Sequence, residues 1–212
     1  MFFFKDISWK LKVQRGYDRW ATVYSSEKNP VKSFSDEIIE EMLPNLNGKR
    51  IIDAGCGSGY FCQYAEQQGA KEILGIDFSS KMIEQANKVC QYTKFQVDDI
   101  AHIEIQEASA DVVICALVLG HLERLEPIIQ KLSNALTKDG VLVISDFHPF
   151  LSLKGQRRTF RIGKNNFEVP HYIHMLSEYI NLLTQCGLTI QQIEEPVWID
   201  NPVIFVLKAK KH

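Results

Sequence analysis

Three glycines stand at alternate positions in IIDAGCGSGYF: Gly55, Gly57 and Gly59, directly after a short apolar run and one acid. A backbone without Cβ atoms can turn sharply and touch a ligand directly. The spacing is GxGxG. The dinucleotide fingerprint, which aims a helix N-terminus at a pyrophosphate, is GxGxxG and is absent. Asp77 ends the next apolar run, 18 residues beyond Gly59. A carboxylate there can accept hydrogen bonds from both hydroxyls of a ribose. Asp98 and Asp99 close a third run, where an acid can take the exocyclic amine of adenine while a backbone N–H meets a ring nitrogen. Phe78 and Met82, flanking Asp77, can sandwich the purine. The sum is a site for adenosine with a tail that is not a phosphate.

Other reactive residues are more scattered. His121 and His148 follow the fourth and fifth apolar runs, where each either faces a substrate or serves structure; the same holds for His171 and His174. KGQRRTFRIGK, residues 154–164, carries five basic residues and no acid. A charge run is by default a solvated loop, but this one suits an acidic substrate or carrier. Tyr17, Trp20 and Tyr24 fall at helical spacing and serve either core packing or cofactor contact. The five cysteines form no CxxC and no zinc spacing, and nothing beside Cys56 or Cys62 lowers a thiol pKa. Reduced thiols in a cytoplasmic protein, with no metal, are the expectation.

The elements that must position these residues alternate regularly. Apolar strands are expected at 49–54, 72–77, 94–97, 111–117 and 140–147, with helices at 60–68 and, capped by Ser79, through Ala86 and Val89. Leu122, Leu125, Ile128, Ile129, Leu132 and Leu136 repeat at helical spacing. A helix capped by Ser33 precedes the first strand, and one carrying Ile173, Leu176, Ile180 and Leu183 stops at Gly187. Strands at 188–194 and 203–207 follow, too closely connected to be anything but antiparallel. Continuous apolar strands between amphipathic helices mean a parallel sheet covered on both faces, the doubly wound α/β class. Its ligands sit at the carboxyl ends of the strands, where strand order reverses. Residues 149–170 break the alternation and read as an insertion over that edge.

With 212 residues, 45% hydrophobic and 24% charged, the chain suits one soluble domain, divided as 1–48 (N-terminal lid and helices), 49–147 (cofactor core), 148–172 (insertion) and 173–212 (last helix and hairpin). A net charge of −2 gives no field for nucleic acid, so no DNA partner is expected. No apolar run approaches a membrane span, and Lys5 and Asp6 interrupt the start too early for a secretory leader.

Six ordered motifs resemble those of class I S-adenosylmethionine-dependent methyltransferases over residues 17–207. They are IIDAGCGSG, GIDFSSKMIEQA, FQVDDI, VVICALVLGHL, LTKDGVLVISDF and SEYINLLTQCGL with its two following strands. The resemblance implies a Rossmann-like, mostly parallel seven-stranded sheet with a C-terminal antiparallel hairpin. It implies S-adenosylmethionine as cofactor, S-adenosylhomocysteine as product and no metal. By the same resemblance Gly55 and Ala116 meet the methionine end, Cys56 stands among the cofactor-binding residues and Asp77 holds the ribose. Phe78, Met82, Asp99 (rather than Asp98) and Ile100 take the adenine, and Tyr24 packs over the cofactor, although Ser25 stands where the family has an acid. His121, His148 and Arg158 are candidates for the acceptor side; no residue is assigned to catalysis. The tetrapeptide of nucleic-acid amino methylation, D/N-PP-Y/F, is replaced by ALVLGHL, which disfavours that chemistry. The segment YDRWATVY and the lack of an RNA-binding extension resemble the biotin-precursor, quinone and secondary-metabolism enzymes, so the expected acceptor is a small molecule methylated on oxygen, carbon or a carboxylate, in the sharpest version an acyl group on an acidic carrier protein. A tRNA or protein methyltransferase and a non-catalytic S-adenosylmethionine-binding protein are the alternatives, and the assembly expected is a monomer or homodimer.

Overall fold

The structure, a computed structural model, describes residues 13–21, 30–162 and 165–212. A helix over 13–20 (α1) is followed by α2 (Pro30–Met42), β1 (Arg50–Ala54), α3 (Tyr60–Gln67), β2 (Glu72–Asp77), α4 (Ser80–Val89) and β3 (Lys94–Val97). Then come β4 (Ala110–Ala116), a 3-10 turn (Leu119–His121), α5 (Glu126–Ala135) and β5 (Leu136–Phe147). The insertion holds α6 (Pro149–Leu153), β6 (Thr159–Ile162) and β7 (Asn165–Glu168). The chain closes with α7 (Leu176–Gln185), β8 (Leu188–Glu194), the short β9 (Val197–Trp198) and β10 (Asn201–Pro202), and β11 (Ile204–Lys211).

Seven strands make one sheet in the order β3-β2-β1-β4-β5-β11-β8. The first five are parallel, and β11 is antiparallel to both β5 and β8. This is the doubly wound α/β sheet with an antiparallel end that the sequence predicts. Strand order reverses between β1 and β4, so the glycine turn after β1 opens at the ligand edge.

Side chains of a strand point alternately to the two faces, and the core divides accordingly. Ile52, Ala54, Val113, Cys115, Leu142 and Ile144 pack with Ile128, Ile129 and Leu132 of α5 and with Tyr179 and Leu183 of α7. Ile51, Val112, Ile114, Val141 and Val143 pack with Ile39 and Met42 of α2 and Phe61 and Ala65 of α3. Each fully buried side chain of this size contributes about 1.5–3 kcal/mol, whereas exposed ion pairs such as Lys71–Glu72 and Arg124–Glu126 contribute about 0–1. Apolar burial therefore docks the helices. Among the described residues, no helix is long and apolar enough to cross a membrane.

Several boundaries differ from the expectation. Helix α2 starts at Pro30, whose missing N–H costs nothing in a first turn, and Ser33 lies inside it. Strand β5 starts at Leu136, not Gly140: the turn-like KDG is a strand irregularity in which Asp139 takes a positive φ and pairs with Lys210. Strand β11 runs on to Lys211 because Ala209 still faces the core, opposite Leu142 and Ile190. Helix α7 starts only at Leu176, since His174 Nε2–H donates to Leu122 O and Ile173 and Met175 are exposed.

Ser79 joins the first helix to the sheet. Its Oγ accepts from Met82 N at 3.1 Å, capping α4, and donates to Asp18 of α1 at 2.6 Å. Ser79→Ala removes both bonds from a fully buried position. A lost cap of this kind costs about 1 kcal/mol. Urea unfolding is expected to show that loss in the midpoint with an unchanged slope; an unshifted midpoint sinks the assignment.

Candidate active site

The turn after β1 is held against the end of β2. Gly55 N and Cys56 N both donate to Ile76 O, at 2.7 and 2.9 Å. Gly55, Gly57 and Gly59 all have positive φ, a region that a Cβ disfavours. The path brings Gly57 N to Asp77 Oδ2 at 2.9 Å, while Ser79 N reaches Oδ1 at 2.8 Å. Each Asp77 oxygen thus holds one amide and keeps a second lone pair. Asp77 is buried but lines the cavity. Burial pushes its pKa up to about 6, against the Ser79 and Gly57 amides, with Asp18 adding to the rise.

The cavity, about 310 Å³, runs along the carboxyl edge of the sheet. Gly55, Asp77, Phe78, Asp99, Ile100 and Ala116 line one end. Asp98 lines it too; its Oδ1 accepts from Asp99 N, while Asp99 Oδ1 accepts from Ala101 N. A ribose fits the chemistry here: two hydroxyl donors face a buried carboxylate with one lone pair left on each oxygen.

The other end is built from several separate segments of the described chain, among them three that carry its polar wall. Helix α1 supplies Tyr17 and Trp20, the turn after β4 supplies Val118 and His121, and the insertion supplies Leu151, Arg158 and Val169. Gln14 Nε2 donates to Phe78 O at 2.8 Å, which fixes α1 over the cofactor end. Tyr17 sits edge-on to Phe78 and to His121, with centroids at 5.9 and 5.5 Å. His121 Nδ1–H donates to Pro170 O, and Nε2 accepts from Tyr17 Oη, each at 2.9 Å. A carbonyl can only accept, which sets this tautomer. Burial, with Arg158 nearby, lowers the His121 pKa to about 4, so the ring is neutral at pH 7.

Asp146, at the end of β5, gathers four donors. Gly120 N and Tyr179 Oη reach Oδ2 at 2.5 and 2.8 Å; Phe147 N and Arg158 Nη2 reach Oδ1, both at 2.7 Å. Nothing in the local sequence singles out Asp146 or Gly120. Three of the four donors to Asp146 lie 12 to 33 residues away, and no local pattern marks such a junction.

Other candidates stand elsewhere. His148 is off the cavity: its Nδ1 caps α6 at Phe150 N and its Nε2 is 2.8 Å from Glu195. One residue past the strand end, its side chain has turned toward the helix it starts. Met82 is fully buried beneath the site, and Cys56 is buried in the turn, its thiol pKa raised. His171 bonds Ser152 Oγ. The basic run divides, for Arg157 is exposed and pairs with Glu168 and Lys154 bonds Asn201, leaving Arg158, among the described side chains, as the one turned inward with Asp146. Tyr24, Lys164 and the side chain of Arg161 lie outside the described residues.

A family described as "Methyltransferase domain" matches residues 45–199. A ubiquinone biosynthesis O-methyltransferase of Haemophilus ducreyi is 28% identical over 81% of this chain and 84% of its own. A malonyl-[acyl-carrier protein] O-methyltransferase of Hamiltonella defensa is 23% identical over 83% of this chain, which spans 66% of that relative. The crystal structure of magnesium protoporphyrin IX methyltransferase from Synechocystis with bound S-adenosylmethionine superposes with a TM-score of 0.70 at 23% identity, covering 97% of this chain and 96% of that one. A buried acid ending β2, a glycine turn at the point of strand reversal and this match over most of the chain agree: the protein belongs to the methyltransferase-domain family and carries the fold of its S-adenosylmethionine-dependent members.

Proposed function

We propose that this chain transfers the methyl group of S-adenosylmethionine to an oxygen of a small-molecule acceptor. One observation carries the reading: a single cavity joins the Gly55–Asp77–Asp99 corner to a second compartment walled by Tyr17, His121 and Arg158. In this reading Asp77 holds the ribose, Phe78, Asp99 and Ile100 the adenine, and Gly55 with Ala116 the methionine end. S-adenosylmethionine supplies a methyl already activated by its sulfonium. The chain's own task is to hold acceptor oxygen, methyl and sulfur in line and to exclude water, and such positioning supplies up to about 7–11 kcal/mol of a barrier. The relatives named as malonyl-[acyl-carrier protein] and ubiquinone-biosynthesis enzymes are both O-methyltransferases by name, which supports oxygen over carbon or nitrogen. The basic insertion at the cavity mouth supports an acidic acceptor, free or on a carrier protein.

The test is a product screen with methyl-labelled S-adenosylmethionine and a cell lysate separated into small-molecule, protein and RNA fractions. Label is expected among the small molecules. Label confined to RNA or protein overturns the reading, and binding without transfer to any fraction identifies a non-catalytic binding protein.

A further inference from the structure

Among the described residues, the buried side-chain nitrogens and oxygens without a hydrogen-bond partner all belong to one residue: Arg158, at Nε and Nη1. Its side chain is 10% exposed and lines the cavity. A buried donor left unmade is expensive, so an orphan in a cavity wall asks what completes it. The guanidinium is held in place with some care. Nη2 pairs with Asp146 Oδ1 at 2.7 Å, and Cζ lies 4.4 Å from the centre of the Phe147 ring. Against it lies Gly120, where a Cβ would come within 2.4 Å of Nη2 and 2.7 Å of Nη1. Gly120 has no positive φ, so its missing side chain serves space, and the space is filled by Arg158.

Asp146 cannot be what the remaining donors await, since each of its oxygens already accepts two hydrogen bonds. Nor do the described residues of the compartment offer a place for a proton. Outside the cofactor corner its titratable groups are Tyr17, Lys32, His121, Arg157 and Arg158. His121 alone could act as a base, and its one lone pair is taken by Tyr17 Oη. Among the described residues, a hydroxyl acceptor would find no free base to deprotonate it. An acceptor that arrives already ionised needs no base, only a cation with donors to spare.

Building on the proposed methyl transfer, we propose that the acceptor is a free carboxylate held by an N–H of Arg158 that Asp146 leaves unpaired, and that the product is its methyl ester. A carboxylate oxygen gives a lone pair to the methyl carbon. The carbon–sulfur bond breaks with its pair remaining on sulfur, and S-adenosylhomocysteine leaves. The carboxylate's negative charge and the sulfonium's positive charge cancel, and no proton moves. Arg158 stays paired with Asp146 throughout, so its positive charge is partly offset. It therefore orients the carboxylate without holding its electrons too tightly to react.

The experiment uses the full chain with tritium-labelled S-adenosylmethionine, a small-molecule extract, and a panel of aliphatic mono- and dicarboxylic acids beside their amides. Methyl esters release volatile methanol in mild alkali; methyl ethers, amines and C-methyl products do not. Alkali-labile label is expected from acids and none from amides. Arg158→Lys, which can keep the Asp146 ion pair but lacks the guanidinium's further donors, is expected to lower kcat/KM about tenfold or more, mainly through KM, as losing a charge-assisted contact does. Gly120→Ala, which pushes the guanidinium aside, is expected to do the same. Calorimetry is expected to show S-adenosylmethionine binding unchanged in both variants. Alkali-stable label overturns the carboxylate and leaves methyl transfer standing. Alkali-labile label undiminished in both variants overturns the role of Arg158, as does cofactor binding with no labelled acid. Absence of cofactor binding removes the parent reading as well.

Discussion

Gly55→Ala is expected to destabilise the protein by about 2–5 kcal/mol, the largest loss from adding one methyl group at the cofactor corner. Two costs act together. At φ +86° a side chain strains the backbone, by about 1–2 kcal/mol. The new Cβ would also lie 2.1 Å from Val118 Cγ2, an overlap that something must yield to, and overpacking costs about 1–3 kcal/mol. Gly187 separates the two: its φ is +77°, and a Cβ there meets nothing within 4 Å. Gly187→Ala should show the backbone cost alone. Combining Gly55→Ala with Val118→Ala should recover part of the loss, a coupling readable from a double-mutant cycle. Urea midpoints measure all four. Equal losses at positions 55 and 187 would mean that Val118 steps aside freely and that the contact does not define the turn.

The second large effect concerns Asp77 and pH. Burial holds its pKa near 6 before any ligand arrives, with the two amide bonds already opposing that rise and Asp18, across on α1, adding to it. Ribose hydroxyls donate to the ionised form and favour it. Affinity for S-adenosylmethionine is therefore expected to rise between pH 5 and pH 7 and to level off above. The sign for the unliganded fold is the reverse. A carboxyl whose folded pKa exceeds its unfolded value binds protons more tightly when folded. Stability accordingly declines as pH rises from about 4 to about 6, and Asp53, pushed up to about 7 by burial, extends the decline. Asp77→Ala, which removes the carboxylate outright, should weaken binding about ten- to a hundredfold, the worth of a charge-assisted contact of about 1.5–3 kcal/mol. Its affinity should also be flat between pH 5 and pH 7. Calorimetry across that range decides. A variant that keeps the wild-type pH slope takes Asp77 out of the site.

The parallel core was legible because its strands are near-continuous apolar runs; β2, β3 and β8 fall on the residues expected. The ends of β5 and β11 were not, because Asp139–Gly140 and the terminal lysines read as turn and tail while pairing across the sheet decided otherwise. At the cavity the same division holds. Gly55, Asp77, Asp99, Ile100 and Ala116 share one wall, as their places after successive strands require. His148 could not be told from His121 by sequence, since each follows a strand; what separates them is the direction of the chain beyond it. The Tyr17–His121 bond spans 104 residues and leaves no local trace. A resemblance carries the cofactor end, where the sequence motifs cluster, and fades at the acceptor end, where distant segments meet only in the fold.

One carboxylate, Asp146, ties the end of a core strand to the turn after β4, to α7 and to the insertion. This limits how such an enzyme can change its acceptor over evolutionary time. An insertion of different length or sequence can be grafted after β5, but only one that again delivers a cation to the same spot. A neutral graft strands a buried anion beneath the sheet edge, and removing one partner of such a pair costs about 3–5 kcal/mol. New acceptor loops are thus filtered for a single buried positive charge before selection ever acts on what they recognise.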